Sequence, residues 1–271
     1  MKNQKITDII TGIPRLFRIQ LAIFGMICVL IGGVIGGFDY LNENLIIAMI
    51  AVFFMTSGSM AFNDYFDRDI DKKVHPDRPI PSGKITPMQG FIFSIILFSI
   101  SIALSFFINL LCLIISLVTI NLLILYETIL KNKVLVGNMI VAFIVAISFI
   151  YGGASIGRPE MSLDFTLLAF FLMLGREILM DVTDMEGDKL NRYTLPMKIG
   201  RKNATYLSCF FILISSLLLF LPGLIGIFPR YYLILILPVQ AIIIYSIILP
   251  LIKIENTGRS ADLLLIAIAM G

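Results

Sequence analysis

The sequence predicts an all-α polytopic membrane protein with eight membrane-crossing helices and most of a ninth. Three observations carry this reading. Of the 271 residues, 58% are hydrophobic and 14% charged, with a mean hydropathy of +0.97, outside the range of soluble globular domains. Long charge-free runs match the roughly 20 apolar residues that a helix needs to cross a bilayer core about 30 Å thick. The charges gather between those runs, most densely in NDYFDRDIDKKVHPDRPIPSGK, residues 63–84, where five aspartates stand with five basic residues.

Ile19 to Phe38 and Asn44 to Phe62 carry no charge and read as the first two crossings. Ile85 to Tyr126 is charge-free for 42 residues, about 63 Å as a helix, so it must fold back on itself, with the break expected near Asn109. Val134 to Gly157 is the fifth crossing. The sixth, between Asp164 and Asp181, has a short clean core, Phe165 to Gly175, followed by Arg176 and Glu177 near membrane depth. Ala204 to Phe228 is the seventh, and Tyr231 to Ile252 the eighth despite Pro238 and Pro250. Leu263 to Gly271 begins a ninth apolar run that reaches the chain end after nine residues. The whole is expected to form one transmembrane domain, residues 1–271.

Lysine and arginine placement sets the orientation. With a cytoplasmic N-terminus, 19 of the 21 basic residues fall inside and only Arg158 and Arg230 outside, a strong positive-inside bias. The expectation is a multi-pass protein of the cell membrane with its N-terminus and both charged loops cytoplasmic. The segment before Ile19 lacks the apolar core and small-residue cleavage site of a signal peptide, so no processing is expected. Cys28, Cys112 and Cys209 lie inside apolar runs without metal-ligand spacing and read as packing residues. The net charge of +3 belongs to topology, and no nucleic-acid footprint is visible.

A second charged segment explains the first. REILMDVTDMEGDKLNRYTLPMKIGRK, residues 176–202, follows the sixth crossing as 63–84 follows the second, and the two align at a constant offset of 117. Asp64, Asp67 and Asp71 meet Asp181, Asp184 and Asp188; Lys72 meets Lys189, Pro79 meets Pro196, Gly83 meets Gly200, and Lys84 meets Arg201. This is a diverged internal repeat, and a shift of four helices keeps both copies parallel in the membrane. Spaced i, i+3 and i+7, each aspartate triple spans a sector of about 60° on one helix face. Asp69 and Glu186 point away from it. Carboxylates at a helix C-terminus oppose the macrodipole, and facing triples repel by roughly 3 kcal/mol per close pair at an effective dielectric near 20. Something positive must lie between them. A set of oxygen ligands alone suits Mg²⁺, completed by waters and substrate phosphates. One acidic loop is ordinarily solvated surface; two copies with the same spacing and flanking residues mark a site.

At these residues the chain resembles the UbiA superfamily of intramembrane prenyltransferases. The first signature of that superfamily, NDxxDxxxD, reads as Asn63, Asp64, Asp67 and Asp71, and the second, DxxDxxxD, as Asp181, Asp184 and Asp188. The resemblance implies a ring of about nine helices around a central cavity, with both motifs at its cytoplasmic mouth. It implies that the six aspartates are the catalytic and metal-binding residues, holding an isoprenyl diphosphate through Mg²⁺, with two ions expected. Neutralising the leaving group promotes ionisation of an allylic diphosphate. Asn63, Arg78, Lys72 and Lys189 are implied as substrate-binding residues, joined by Arg18 at the start of helix one and by Tyr126 and Lys131 at the end of helix four. For the basic residues the plain alternative is positive-inside charge. Arg176 and Glu177 each cost on the order of 3 kcal/mol at membrane depth unless they face the cavity or pair. His75, the only histidine, reads as a loop residue. Apolar side chains of the cavity wall would bind the prenyl tail, at on the order of 0.8 kcal/mol per buried CH₂.

The segments HPDRPIPSG, DVTDMEGDK and TLPMKIG are most similar to the archaeal ether-lipid branch of the superfamily. That branch moves a geranylgeranyl group from geranylgeranyl diphosphate onto a lipid-phosphate acceptor, geranylgeranylglyceryl phosphate. Lys198, Arg201 and Lys202 offer further positive charge for the acceptor phosphate. An aromatic acceptor of the quinone, tocopherol or chlorophyll type is the alternative within the enzyme class, and a Mg²⁺ carrier or channel is the alternative outside it. Against a carrier, the carboxylates lie at helix ends and not at the midplane. No obligate protein partner is implied.

Overall fold

A computed structural model of the protein describes residues 11–37, 42–188 and 192–270. Among these residues all regular structure is helical. The chain falls into two compact units, Met1–Thr128 with Tyr151–Gly157, and Ile129–Ile150 with Arg158–Gly271.

In the first unit a short helical lead, residues 11–16, precedes α1 (Ile19–Ile35), α2 (Glu43–Phe66), α3 (Arg68–Val74), α4 (Pro87–Ile108) and α5 (Leu110–Leu125). The chain continues from α5 into one π-helical turn, Tyr126–Leu130. α2 packs against α1 on one side and α4 on the other, and α4 packs on α5. Small residues permit the close approaches: a Cβ added at Gly33 would lie 2.5 Å from Leu45, and one at Gly58 would lie 3.1 Å from Phe98. α4 opens with a capping box, Thr86 and Gln89 exchanging hydrogen bonds around Pro87. The fold-back of the long apolar run occurs at Asn109. There the backbone is extended, and the side chain accepts from Cys112 N at 2.8 Å while donating to Ala154 O at 2.8 Å. One polar side chain thus ends α4 and caps α5.

α6 (Val136–Ser155) contributes its last residues to the first unit. The Tyr151 hydroxyl lies 2.6 Å from Ser105 Oγ, which lies 2.6 Å from Ser116 Oγ. These hydroxyls join α4, α5 and α6, where each would otherwise lack water as a partner. A Cβ added at Gly152 would stand 2.0 Å from Val29 O, so the backbones of α6 and α1 are in contact there.

In the second unit a 3₁₀ turn, Pro159–Ser162, leads into α7 (Leu163–Asp188), followed by α8 (Leu195–Ile199), α9 (Arg201–Leu218), α10 (Leu221–Leu224), α11 (Tyr232–Leu235), α12 (Leu237–Ile252) and α13 (Thr257–Met270). α7 packs on α9 and α13, and α12 on α9 and α13. Ser208 donates to Gly175 O at 2.6 Å and Ser215 to Leu168 O at 2.9 Å, binding α9 to α7.

Among the described residues five helices are long and apolar enough to cross a membrane: Glu43–Phe66, Pro87–Ile108, Leu110–Leu130, Val136–Ser155 and Arg201–Leu224. Ile19–Ile35 and Leu237–Ile252 are apolar but shorter. The protein is a multi-pass membrane protein. Two expectations change. The seventh crossing runs Arg201–Leu224 with a turn at 219–220 and stops short of Phe228, and the run 231–252 is not one plain helix: Gly226 at φ 80° and a short helix, Tyr232–Leu235, precede α12, which starts at Leu237 with Pro238 in its first turn. The last helix begins at Thr257, ahead of the apolar run, and carries Arg259 and Asp262 in its first turns.

The offset of 117 recurs in the backbone. Among the described residues, the non-glycine positions with positive φ are Arg18 (43°) and Leu135 (66°), immediately before α1 and α6. Gly83 (77°) and Gly200 (85°) share the left-handed region at the same offset.

Gly152→Ala forces a Cβ onto a backbone oxygen that cannot yield, and overpacking of this kind costs about 1–3 kcal/mol. The substitution should lower the midpoint of thermal unfolding followed by circular dichroism in detergent. Gly187→Ala, where an added Cβ meets nothing within 4 Å, should leave that midpoint unchanged or raised.

Candidate active site

The first motif lies where α2 gives way to α3. The two are not one helix: Asp67, at φ −86° and ψ 2°, is the C-cap of α2 and the N-cap of α3. This corrects the expectation of three aspartates on a single helix face. The bend does not disperse them outward. Asp64 and Asp71 are buried, at 1% and 3% exposure, Asp67 is half-buried, and the side chain of Asp69 is 72% exposed.

Two arginines hold the buried carboxylates. Arg18 Nη2 meets Asp64 Oδ1 at 2.8 Å, and Arg78 Nη1 lies 2.7 Å from both oxygens of Asp71 and 3.8 Å from Asp64. A buried carboxylate needs such a partner; removing one leaves an uncompensated charge, at a cost of about 3–5 kcal/mol. Arg18 reaches its position through left-handed backbone, φ 43° and ψ 61°, a conformation costing roughly 1–2 kcal/mol in a residue with a Cβ and typical of functional sites. The local fold also delivers Arg78. α3 ends at His75, exposed on the surface, and the chain turns back through Pro79 and Gly83 before α4.

Asn63 connects the remaining groups. Its Nδ2 donates to Asp67 Oδ2 and to Glu127 Oε1, each at 3.0 Å, while its Oδ1 lies 3.5 Å from Arg18 Nη2. Tyr126, half-buried, opens the π turn that carries Glu127, and Lys131 follows that turn. Lys72 is exposed and pairs with Asp69 at 3.1 Å, not with the buried Asp64 or Asp71.

The second motif closes α7. Asp181 is buried, accepting from Asn138 Nδ2 at 2.8 Å, with Arg192 Nη2 at 3.6 Å from its other oxygen. Asp184 and Glu186 are both exposed. Asp188 ends the helix, and its side chain and Lys189 lie outside the described residues. One turn earlier Arg176 and Glu177 pair with each other at 2.6 Å, which offsets the cost of placing both among apolar residues. The three cysteines are free and buried.

Glu127, Asn138 and Arg192 were not among the residues expected at the site. Glu127 left a signal: it is the first charge after the 42-residue apolar run. Asn138 left almost none, being a neutral amide in the first turn of an apolar helix. Among the described residues no three His, Cys, Asp or Glu side chains converge on one point. Mg²⁺ does not require that, since it binds one or two carboxylates and completes its shell with water and phosphate oxygens. The donors here are hard carboxylate oxygens and fit such an ion.

Comparison with known proteins agrees with this geometry. The profile of the UbiA prenyltransferase family matches residues 21–265. Digeranylgeranylglyceryl phosphate synthase of Methanopyrus kandleri is 34% identical over 244 residues, covering 90% of this chain and 90% of its own length. A solved structure reported for digeranylgeranylglyceryl phosphate synthase in membranes superposes with a TM-score of 0.80 at 31% identity, over 97% of this chain and 98% of that one. A UbiA homolog from Archaeoglobus fulgidus, solved bound to DMAPP and Mg²⁺, has a TM-score of 0.74 at 19% identity, over 95% of this chain and 97% of that one, and shares the fold. A chain with both aspartate motifs in place, matched by the family profile over nearly its full length, belongs to the UbiA prenyltransferase family.

Proposed function

We propose that the chain transfers a geranylgeranyl group from geranylgeranyl diphosphate to geranylgeranylglyceryl phosphate, releasing pyrophosphate, in archaeal ether-lipid synthesis. The observation that carries this is the 34% identity to a digeranylgeranylglyceryl phosphate synthase across nine-tenths of both chains. The orientation that fits the charge distribution puts the N-terminus and both motifs on the cytoplasmic side. About nine crossings in a ring, built as a parallel repeat, are in keeping with the shared offset of the motifs and of the left-handed residues.

Asp64, Asp67 and Asp71 in one set, and Asp181, Asp184 and Asp188 in the other, would hold Mg²⁺, with two ions in this reading. The ions supply positive charge against the diphosphate oxygens and so stabilise the leaving group. The chain's own residues set up the rest. Arg18 and Arg78 pair with the buried aspartates and hold them in place, and their guanidinium groups add positive charge where the diphosphate docks. Lys131, Tyr126 and Lys189 are further diphosphate contacts in this reading, whereas Lys72, turned toward Asp69, contributes general positive charge. The allylic C–O bond breaks with its electron pair passing to pyrophosphate. The glycerol hydroxyl oxygen then bonds to the developing cation, and its proton passes to a carboxylate or pyrophosphate oxygen. Apolar side chains of the membrane helices shield the cation from water.

Three outcomes test this. Purified protein given geranylgeranyl diphosphate should prenylate geranylgeranylglyceryl phosphate and ignore 4-hydroxybenzoate and homogentisate when the products are resolved by mass spectrometry. Product with the aromatic acceptors alone would overturn the lipid assignment. Chelation should abolish turnover and added Mg²⁺ restore it; full activity in metal-free buffer would sink the carboxylate role. Asp→Asn at any of the six motif positions should slow turnover at least about tenfold through lost metal binding, while Asp69→Asn and Glu186→Gln, at exposed positions, should stay near wild type. Equal effects in both groups would dismiss the assignment of the six.

A further inference from the structure

Glu127 occupies an expensive position. It is 9% exposed, and it stands at the second residue of the π turn Tyr126–Leu130 that extends a membrane-crossing helix. Single π turns in otherwise α-helical segments are rare and concentrate at functional sites. Glu127 Oε1 accepts from Asn63 Nδ2 at 3.0 Å, and the same nitrogen donates to Asp67 Oδ2 at 3.0 Å. With Arg18 on its oxygen side, the carboxamide has one satisfactory orientation: acceptor to the guanidinium, donors to the two carboxylates. Reversing it would set its oxygen against two anions.

The repeat supplies an independent argument. At the offset of 117, Arg18 is replaced by Leu135, Asn63 by Met180 and Glu127 by Ile244. All three members of the bridge are absent together from the second copy, although the aspartates are kept. Asp181 is held instead by Asn138 and Arg192. Residues that disappear as a set are expected to act as a set, and this way of holding the middle aspartate is peculiar to the first motif.

We propose that Glu127 is a positioning residue for Asp67. It fixes the Asn63 carboxamide, and the second N–H of that carboxamide then holds the Asp67 carboxylate in the orientation in which it would ligate a divalent metal. The role needs an acceptor oxygen at position 127. It deepens the prenyltransferase reading of the site and rests on it.

The test separates the two. Detergent-purified wild type, Glu127→Gln, Glu127→Met, Asn63→Leu and the Glu127→Met/Asn63→Leu double variant are titrated with Mn²⁺ in the presence of pyrophosphate. Bound ion is read by electron paramagnetic resonance on the monodisperse fraction, and turnover is measured alongside. Glu127→Gln keeps the acceptor oxygen, and its half-saturating Mn²⁺ should lie within about threefold of wild type. Glu127→Met should raise it about 10–100-fold, the range seen for residues that orient metal ligands, and turnover should recover at saturating metal. The double variant should be no worse than Asn63→Leu alone, because Glu127 acts through Asn63. The proposal is overturned if Glu127→Met binds Mn²⁺ as wild type does, including the case in which it only lowers the yield of folded protein. It is equally overturned if Glu127→Gln is as impaired as Glu127→Met. Wild-type protein that never releases pyrophosphate from geranylgeranyl diphosphate would overturn the prenyltransferase reading, and the Mn²⁺ titrations would still decide the positioning claim.

Discussion

Anionic carboxylates buried at the end of membrane-crossing helices must be neutralised, and much of this protein follows from that requirement. Asp64 and Asp71 are almost wholly removed from solvent. Each has a guanidinium within 2.8 Å. One cation arrives from before the first long helix and the other from the loop after the motif, so the segments that flank α2 are tied to its end. The left-handed backbone at Arg18 is understandable in these terms. A local strain of roughly 1–2 kcal/mol is smaller than the penalty of about 3–5 kcal/mol for leaving one buried carboxylate without its partner.

The two motifs meet the same requirement by different means. In the first unit, Arg18 and Arg78 supply full charges, and Asn63 spreads hydrogen bonds to Asp67 and Glu127. In the second, Asp181 takes a neutral amide from Asn138 and a more distant arginine, Arg192 at 3.6 Å. Asp184, unlike Asp64 and Asp71, is exposed. In the proposed reading, the arginines align the first set and the substrate's ions would complete the neutralisation.

How much of this was legible in the sequence depends on the kind of signal. Long apolar runs and the fold-back at Asn109 were readable because a helix of 42 residues is too long for a bilayer and one polar residue stood near its middle. The aspartate spacing was readable because it occurs twice. The break at Asp67 was not, since Arg68 to Val74 remains helical and no proline or glycine marks the bend. Glu127 and Asn138 act through three-dimensional proximity, one from a π turn and one from the opening of an apolar helix, and no periodic pattern announces either. Nor did the apolar runs reveal that residues 225–236 hold turns and a short helix. Hydropathy measures burial, whereas Gly226 and Pro229 decide continuity.

The central claim is that the two carboxylate sets hold divalent metal for an isoprenyl diphosphate. Its most direct test is an anomalous difference map from crystals grown with Mn²⁺ and a non-ionisable thio analogue of geranylgeranyl diphosphate. The account predicts Mn²⁺ peaks within coordination distance of carboxylate oxygens from the 64–71 and 181–188 motifs, each sharing a diphosphate oxygen. Well-ordered diphosphate density accompanied by no metal at either motif, or by Mn²⁺ bound elsewhere in the protein, would contradict it.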